Sequence, residues 1–355
     1  MRRAFTIVAA ALLLLTAACT GDDDSSAAGN TTSKPTTTPT TTPATKPVAP
    51  KPSSGCSGTT TGASAPAGDK KVTLQSGGVE RYYLRHLPPA REATKPMPLV
   101  VDIHGYSEGA VIHRLMSALG PFGDTHGFIT ITPQGTGKVA RWDTGLKSAD
   151  MTFISDAMDN AEQTLCIDTA RVFVTGLSNG AMMTSAVACA LSDRVAAVAP
   201  VAGVTKINNC GAKRPVPVVA FHGTADPFLA YNGGYGPAVA NLPAPDDTGR
   251  TLGDVGVGRG TDRGPSVRAV VADWAKRNGC KAKPTTTSIA SDVALIAYRC
   301  PRGADVELYR VSKGGHSWPG STFSKAVRNV IGPTTFSINA DDVMWKFFQE
   351  HPLHG

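Results

Sequence analysis

Short runs of consecutive apolar residues, set apart by stretches of helical periodicity, constrain this 355-residue chain more than any other feature. Residues 98–103 (PLVVDI) are apolar almost without a break, as a strand covered on both faces has to be. Residues 128–132, 171–175, 195–201, 216–221 and 306–311 are runs of the same kind, and 79–87, mixing apolar with charged side chains, fits an outer strand. Between Met151 and Leu165, the residues Ile154, Met158, Ala161 and Leu165 recur at helical spacing. Residues 179–191 are rich in Ala and Met, 266–277 carry Val267, Val270, Val271 and Trp274, and 341–350 carry Val343, Met344, Phe347 and Phe348. Buried strands alternating with amphipathic helices predict an α/β fold, a mainly parallel central sheet flanked by helices.

The N-terminus follows a different logic. Arg2 and Arg3 precede an apolar run over 4–15, and Thr16-Ala17-Ala18-Cys19 follows. A basic start, a short apolar stretch and small residues at a cleavage point make a secretory signal over residues 1–18. The run is too short for a stable membrane span. Cys19 after two alanines resembles the bacterial lipobox, although Thr16 stands where an aliphatic residue is usual. The resemblance implies a lipid on Cys19 and anchoring at the outer face of the cell membrane; ordinary cleavage and release to the medium is the alternative. From Gly21 to about Pro66 the chain is Thr, Pro, Ser, Lys and Ala with almost nothing to bury, so 19–69 reads as an extended tether and 70–355 as the folded domain.

The formal charge of +7 says little about partners, since Arg2 and Arg3 leave with the signal and several lysines lie in the tether. The remaining basic residues are scattered rather than striped, which disfavours nucleic acid. Beyond Cys19 there remain Cys56, Cys166, Cys189, Cys210, Cys280 and Cys300. An even number in an exported chain suggests disulfides whose pairing sequence alone leaves open; loop positions favour Cys280 with Cys300 and Cys189 with Cys210. No pair has the close spacing of a zinc site, so no metal is expected.

Two segments have the form G-x-S-x-G: Gly105 to Gly109 and Gly176 to Gly180. A nucleophilic serine needs a sharp strand-to-helix turn with small neighbours. Residues 171–175 (RVFVT) and the helix opening at Gly180-Ala181 supply that context for Ser178. Ser107 follows His104-Gly105-Tyr106, a pair-and-loop of the kind that supplies a backbone oxyanion donor instead. The serine hydroxyl needs a base, and the base an orienting carboxylate. His316, in GGHSWPG after the run 306–311, fits the base; His86, His113, His126, His222, His351 and His354 fit less well by position. Asp226, in HGTADP after the run 216–221, fits the carboxylate, an Asp-Pro turn being the plain alternative; Asp246, Asp247, Asp254 and Asp262 look solvated in a glycine-rich stretch. The backbone N–H groups of Tyr106 and Asn179 are the expected oxyanion donors.

GLSNGAMM, HGTADP, GGHSWPG, the HGY triplet and Asn278-Gly279-Cys280 after Trp274 together resemble the polyhydroxybutyrate depolymerase-like and feruloyl esterase family, over about residues 72–351. The resemblance implies one α/β-hydrolase domain, secretion, no cofactor, and hydrolysis of a carboxylic ester, possibly polymeric, through Ser178, His316 and Asp226. Trp318 either lines the acyl site or packs. Feruloyl or related plant-polysaccharide esters are the first expectation and polyhydroxyalkanoates the second, since one fold serves both. A non-catalytic binding module is the alternative from another class. The stretch from Asn232 to Pro265 lacks periodicity and reads as a lid, a site rim or an insertion.

Overall fold

A computed structural model describes residues 48–57, 65–246, 248–258 and 264–354. The signal, Cys19, the first part of the tether, Asp247 and Asp262 lie outside the described residues. Residues 48–354 belong to one compact unit, built on a ten-stranded sheet.

The strands are β1 (Gly68–Ser76), β2 (Val79–Leu87), β3 (Met97–Ile103), β4 (Ile129–Pro133), β5 (Ile167–Leu177), β6 (Ala197–Val201), β7 (Val218–Gly223), β8 (Thr285–Ser288), β9 (Val293–Tyr298) and β10 (Val306–Val311). They lie in the order β1-β2-β4-β3-β5-β6-β7-β10-β9-β8. The block from β4 to β10 is parallel, while β1 and β2 at one edge and β9 and β8 at the other run antiparallel. The strand over 79–87, expected at the outside, is second from the edge because β1 covers it.

The helices are α1 (Gly109–Ser117), α2 (Leu119–His126), α3 (Ala149–Thr164), α4 (Asn179–Ala190), α5 (Val267–Arg277), α6 (Thr322–Ala326), α7 (Arg328–Ile331) and α8 (Ala340–Glu350). Four begin at side-chain caps: Ser148 accepts from Met151, Ser266 from Ala269, Ser321 from Ser324 and Asn339 from Asp341. Alternation along the central strands feeds two cores. Leu99, Val101, Val172, Val174, Val218 and Ala220 pack toward α3, α4 and α5. Val100, Phe173, Val219 and Phe221 point the other way and pack with Met344, Trp345 and Phe348 of α8. Among the described residues, no helix is long and apolar enough to cross a membrane.

The expected boundary at residue 70 is corrected by what precedes it. Residues 48–57 are fastened to the domain: Lys51 N–H donates to Asp168 Oδ1 at 2.8 Å, Ser53 N–H to the Ile167 carbonyl at 2.9 Å, and Cys56 is bonded to Cys166. The other disulfides are Cys189–Cys210 and Cys280–Cys300. Three disulfides fit an oxidising, extracellular setting.

Candidate active site

In an open parallel sheet, ligands gather beyond the carboxyl ends of the strands. Four segments meet there: the loop after β3, the turn between β5 and α4, and the loops after β7 and β10.

Ser178 occupies the β5–α4 turn with φ 58° and ψ −120°, a left-handed conformation costly for a residue with a side chain. Its N–H donates to the Val201 carbonyl at 2.9 Å and its carbonyl accepts from Met182 at 3.0 Å, so sheet and helix together hold it. Gly180 shows why small neighbours are needed. A Cβ there would stand 2.0 Å from the Ile103 carbonyl oxygen and 2.5 Å from that of His104. The Ser178 turn and the loop after β3 thus lie backbone against backbone.

Asp226 is buried, and both its oxygens are used. Oδ1 accepts from Phe228 N–H at 2.8 Å and Leu229 N–H at 2.9 Å, and Oδ2 accepts from His316 Nδ1 at 2.7 Å. Burial by itself would raise its pKa, but the charge and hydrogen bond of His316, with help from His222 and the Leu229 N–H, hold it below the usual value. With Nδ1 turned to the carboxylate, Nε2 of His316 carries the lone pair that a base requires. His222 is a near rival, its Nε2 lying 3.4 Å from the same Oδ2. That nitrogen instead bonds the Leu229 carbonyl at 2.9 Å, and burial lowers the pKa of His222 despite the Asp226 charge. The glycines before His316 serve close approach: a Cβ on Gly315 would meet the Ile331 carbonyl oxygen at 2.2 Å.

Ser178 and His316 share a cavity of about 180 Å³ with Tyr106, Ser107, Phe228 and Leu242. A neighbouring cavity of about 240 Å³, lined by Met182, His222, Leu229 and Val267, contains neither Ser178 nor His316. The stretch after Asn232 contributes a rim to the first cavity: Leu242 lines it, and the Tyr106 hydroxyl donates to the adjacent Pro243 carbonyl at 2.8 Å.

Neither the Tyr106 N–H nor the Asn179 N–H has an acceptor among the described residues. The Asn179 side chain is engaged on both atoms, accepting from Trp142 N–H at 2.8 Å and donating to the Trp142 carbonyl at 3.2 Å. His104 is a residue that the sequence reading passed over. Its Nε2 accepts from Gly135 N–H at 2.8 Å, so Nδ1 bears the proton it donates to the Gly105 carbonyl at 2.7 Å. Burial lowers its pKa to about 4, in keeping with a neutral ring. The HG pair was the available signal, and its histidine marked a loop without suggesting a partner.

Of the two readings of Trp318, its surroundings fit packing. It is buried to 1% exposure in the core beside α8, its Nε1 donates to Asp341 Oδ1 at 2.8 Å, and it takes no part in lining the cavity with Ser178. It packs, and thereby steadies the loop that carries His316.

The fold is that of the α/β-hydrolases, with a serine on the strand-to-helix turn and a histidine–aspartate pair beside it. A solved acetyl xylan esterase from Aspergillus awamori matches it with a TM-score of 0.52 over 74% of this chain and 98% of its own, at 15% identity. No family model matches the chain. It is nonetheless a homologue of proteins named as esterases and depolymerases. Feruloyl esterase B of Piromyces equi is 25% identical over 219 residues, 59% of this chain and 34% of the relative. Poly(3-hydroxyalkanoate) depolymerase C of Paucimonas lemoignei is 34% identical over 128 residues, 34% of this chain and 30% of the relative. The chain therefore spans about a third of the length of these two relatives.

Proposed function

We propose that the chain is a secreted serine carboxylic-ester hydrolase with Ser178 as nucleophile, His316 as base and Asp226 as orienting acid. The observation that carries this is the Asp226–His316 hydrogen bond beside a strained Ser178 in one cavity. Ser178 Oγ attacks the ester carbonyl while His316 Nε2 takes its proton and passes it to the leaving alcohol. The N–H groups of Tyr106 and Asn179 receive the developing oxyanion. Water, activated by the same histidine, then releases the acid.

Feruloyl or related plant-polysaccharide esters are the proposed substrates, supported by the relatives named feruloyl esterase and the acetyl xylan esterase. The relative named as a depolymerase supports polyhydroxyalkanoates as a second reading. Hydrolysis of a short p-nitrophenyl ester is expected to fall by about 10⁴-fold or more in Ser178→Ala. Ser107→Ala is expected to keep most of it, and the reverse pattern sinks the assignment. Ferulate release from arabinoxylan against hydroxybutyrate release from polyester separates the two substrates. No hydrolysis of any ester by the intact chain would favour a binding module.

The leader and Cys19 support anchoring as a lipoprotein at the outer face of the cell membrane. Incorporation of labelled fatty acid that persists in Cys19→Ser would refute it.

A further inference from the structure

A second polar assembly lies around the loop after β3, and its Glu108 lines the same cavity as Ser178 and His316. Gly105 N–H donates to Glu108 Oε2 at 2.6 Å. Glu108 contacts His113 Nδ1 at 3.2 Å, and His113 Nε2 is 2.7 Å from Asp102 Oδ1. Ser117 Oγ donates to Asp102 Oδ2 at 2.6 Å. His113, Asp102 and Ser117 are all buried, with Trp318 edge-on to His113 at 5.8 Å.

Two peptide planes flank Gly105, and each is held from outside. In the first, the N–H is taken by Glu108 and the His104 carbonyl accepts from Trp142 Nε1 at 2.9 Å. In the second, the Gly105 carbonyl accepts from His104 Nδ1 at 2.7 Å and from Glu108 N–H at 3.3 Å. The remaining group of that second plane is the Tyr106 N–H. In a planar trans peptide, N–H and C=O point opposite ways, so fixing the carbonyl aims the donor.

A lone carboxylate at this place would oppose negative charge growing in the cavity. Glu108 is not alone. Burial would lower the pKa of His113, but the charges and hydrogen bonds of Asp102 and Glu108 push it up to about 10. In turn His113 and Gly105 hold the carboxyl of Glu108 below its usual value against the effect of burial. The imidazolium between two carboxylates offsets the field that the loop would otherwise feel.

We propose that Glu108, backed by His113 and Asp102, is a positioning residue: its carboxylate fixes the peptide plane before Gly105 and so, together with His104 on the plane after it, sets the direction of the Tyr106 oxyanion donor. This rests on the esterase reading above. The test compares Glu108→Ala and Glu108→Gln with wild type by kcat and KM on p-nitrophenyl acetate, normalised to folded protein, with Ser178→Ala as control. An oxyanion donor acts chiefly in the transition state, so Glu108→Ala is expected to lower kcat about 10- to 100-fold with KM little changed. Glu108→Gln, whose amide oxygen still accepts from Gly105, is expected to recover most of that loss. A folded Glu108→Ala enzyme with wild-type kcat overturns the proposal, and so does equal impairment in Ala and Gln. If Glu108→Ala does not fold, Glu108→Asp, one methylene short of Gly105, takes its place: a kcat loss supports the proposal and a wild-type kcat overturns it. Equal hydrolysis by wild type and Ser178→Ala would instead remove the nucleophile assignment on which the proposal stands.

Discussion

His316 Nδ1 lies 2.7 Å from Oδ2 of Asp226, while Oδ1 of the same carboxylate holds the N–H groups of Phe228 and Leu229. One oxygen orients the imidazole and the other fixes the turn. Asp226→Asn separates these roles. The amide oxygen can keep the turn, but the amide nitrogen faces His316 Nδ1 and favours the tautomer with its proton on Nε2. That nitrogen then has no lone pair for Ser178. Ester hydrolysis is expected to fall about 10⁴-fold with the melting temperature little changed. Full activity in a folded Asp226→Asn enzyme would refute the orienting role.

The contact between the Ser178 turn and the loop after β3 predicts a stability effect. Gly180→Ala puts a methyl group into the Ile103 and His104 carbonyls and is expected to cost about 3 kcal/mol or more in denaturant unfolding. Gly211 has nothing within 4 Å of an added Cβ, so Gly211→Ala is expected to be close to neutral. Equal effects at the two positions would contradict the close approach described for Gly180.

Asp341, the partner of Trp318, predicts a pH dependence. Burial first, then the charges of Asp102 and Asp342, push its carboxyl from 3.8 up to about 8, with the Trp318 hydrogen bond and His113 opposing. The folded value lies above the unfolded one. Across that window the folded chain retains a proton that the unfolded chain has lost, so this group's contribution to stability falls as pH rises. Asp341→Asn stays neutral and can still accept from Trp318. It is expected to be more stable than wild type at pH 8 by about 2 kcal/mol or more, with the gap shrinking toward pH 4. A gap that stays constant between those pH values argues against a buried proton on Asp341.

The elements that position the site were legible because their signals are local. Strand, turn and helix around Ser178 are consecutive, and Asp226 and His316 each follow an apolar run that became a central strand. What escaped detection has weak patterns or distant partners. β8 is exposed along its whole length, a Thr-rich edge strand with no apolar alternation to reveal it. Cys56 sits among tether-like residues and finds Cys166 across a separation of 110 residues, so composition placed it outside the domain. Glu108 and His113 look like ordinary polar residues until α1 folds back over β3 and brings Asp102 alongside. Trp318 was visible as a large aromatic beside His316, but only the fold shows its indole turned to Asp341.

Cys166 immediately precedes β5 and Ser178 immediately follows it, so the Cys56 clamp and the Ser178 turn stand at opposite ends of one strand. That strand is interior, flanked by β3 and β6. Tension applied to the segment ahead of Cys56 loads its hydrogen bonds to Ile167, Asp168 and Thr169 first and the Cys56–Cys166 bond next, and at that end of β5 it is resisted in shear by both neighbouring ladders, not by peeling an edge. The chain has a handle that can be tugged while the Ser178 turn, at the other end of the load path, stays slack.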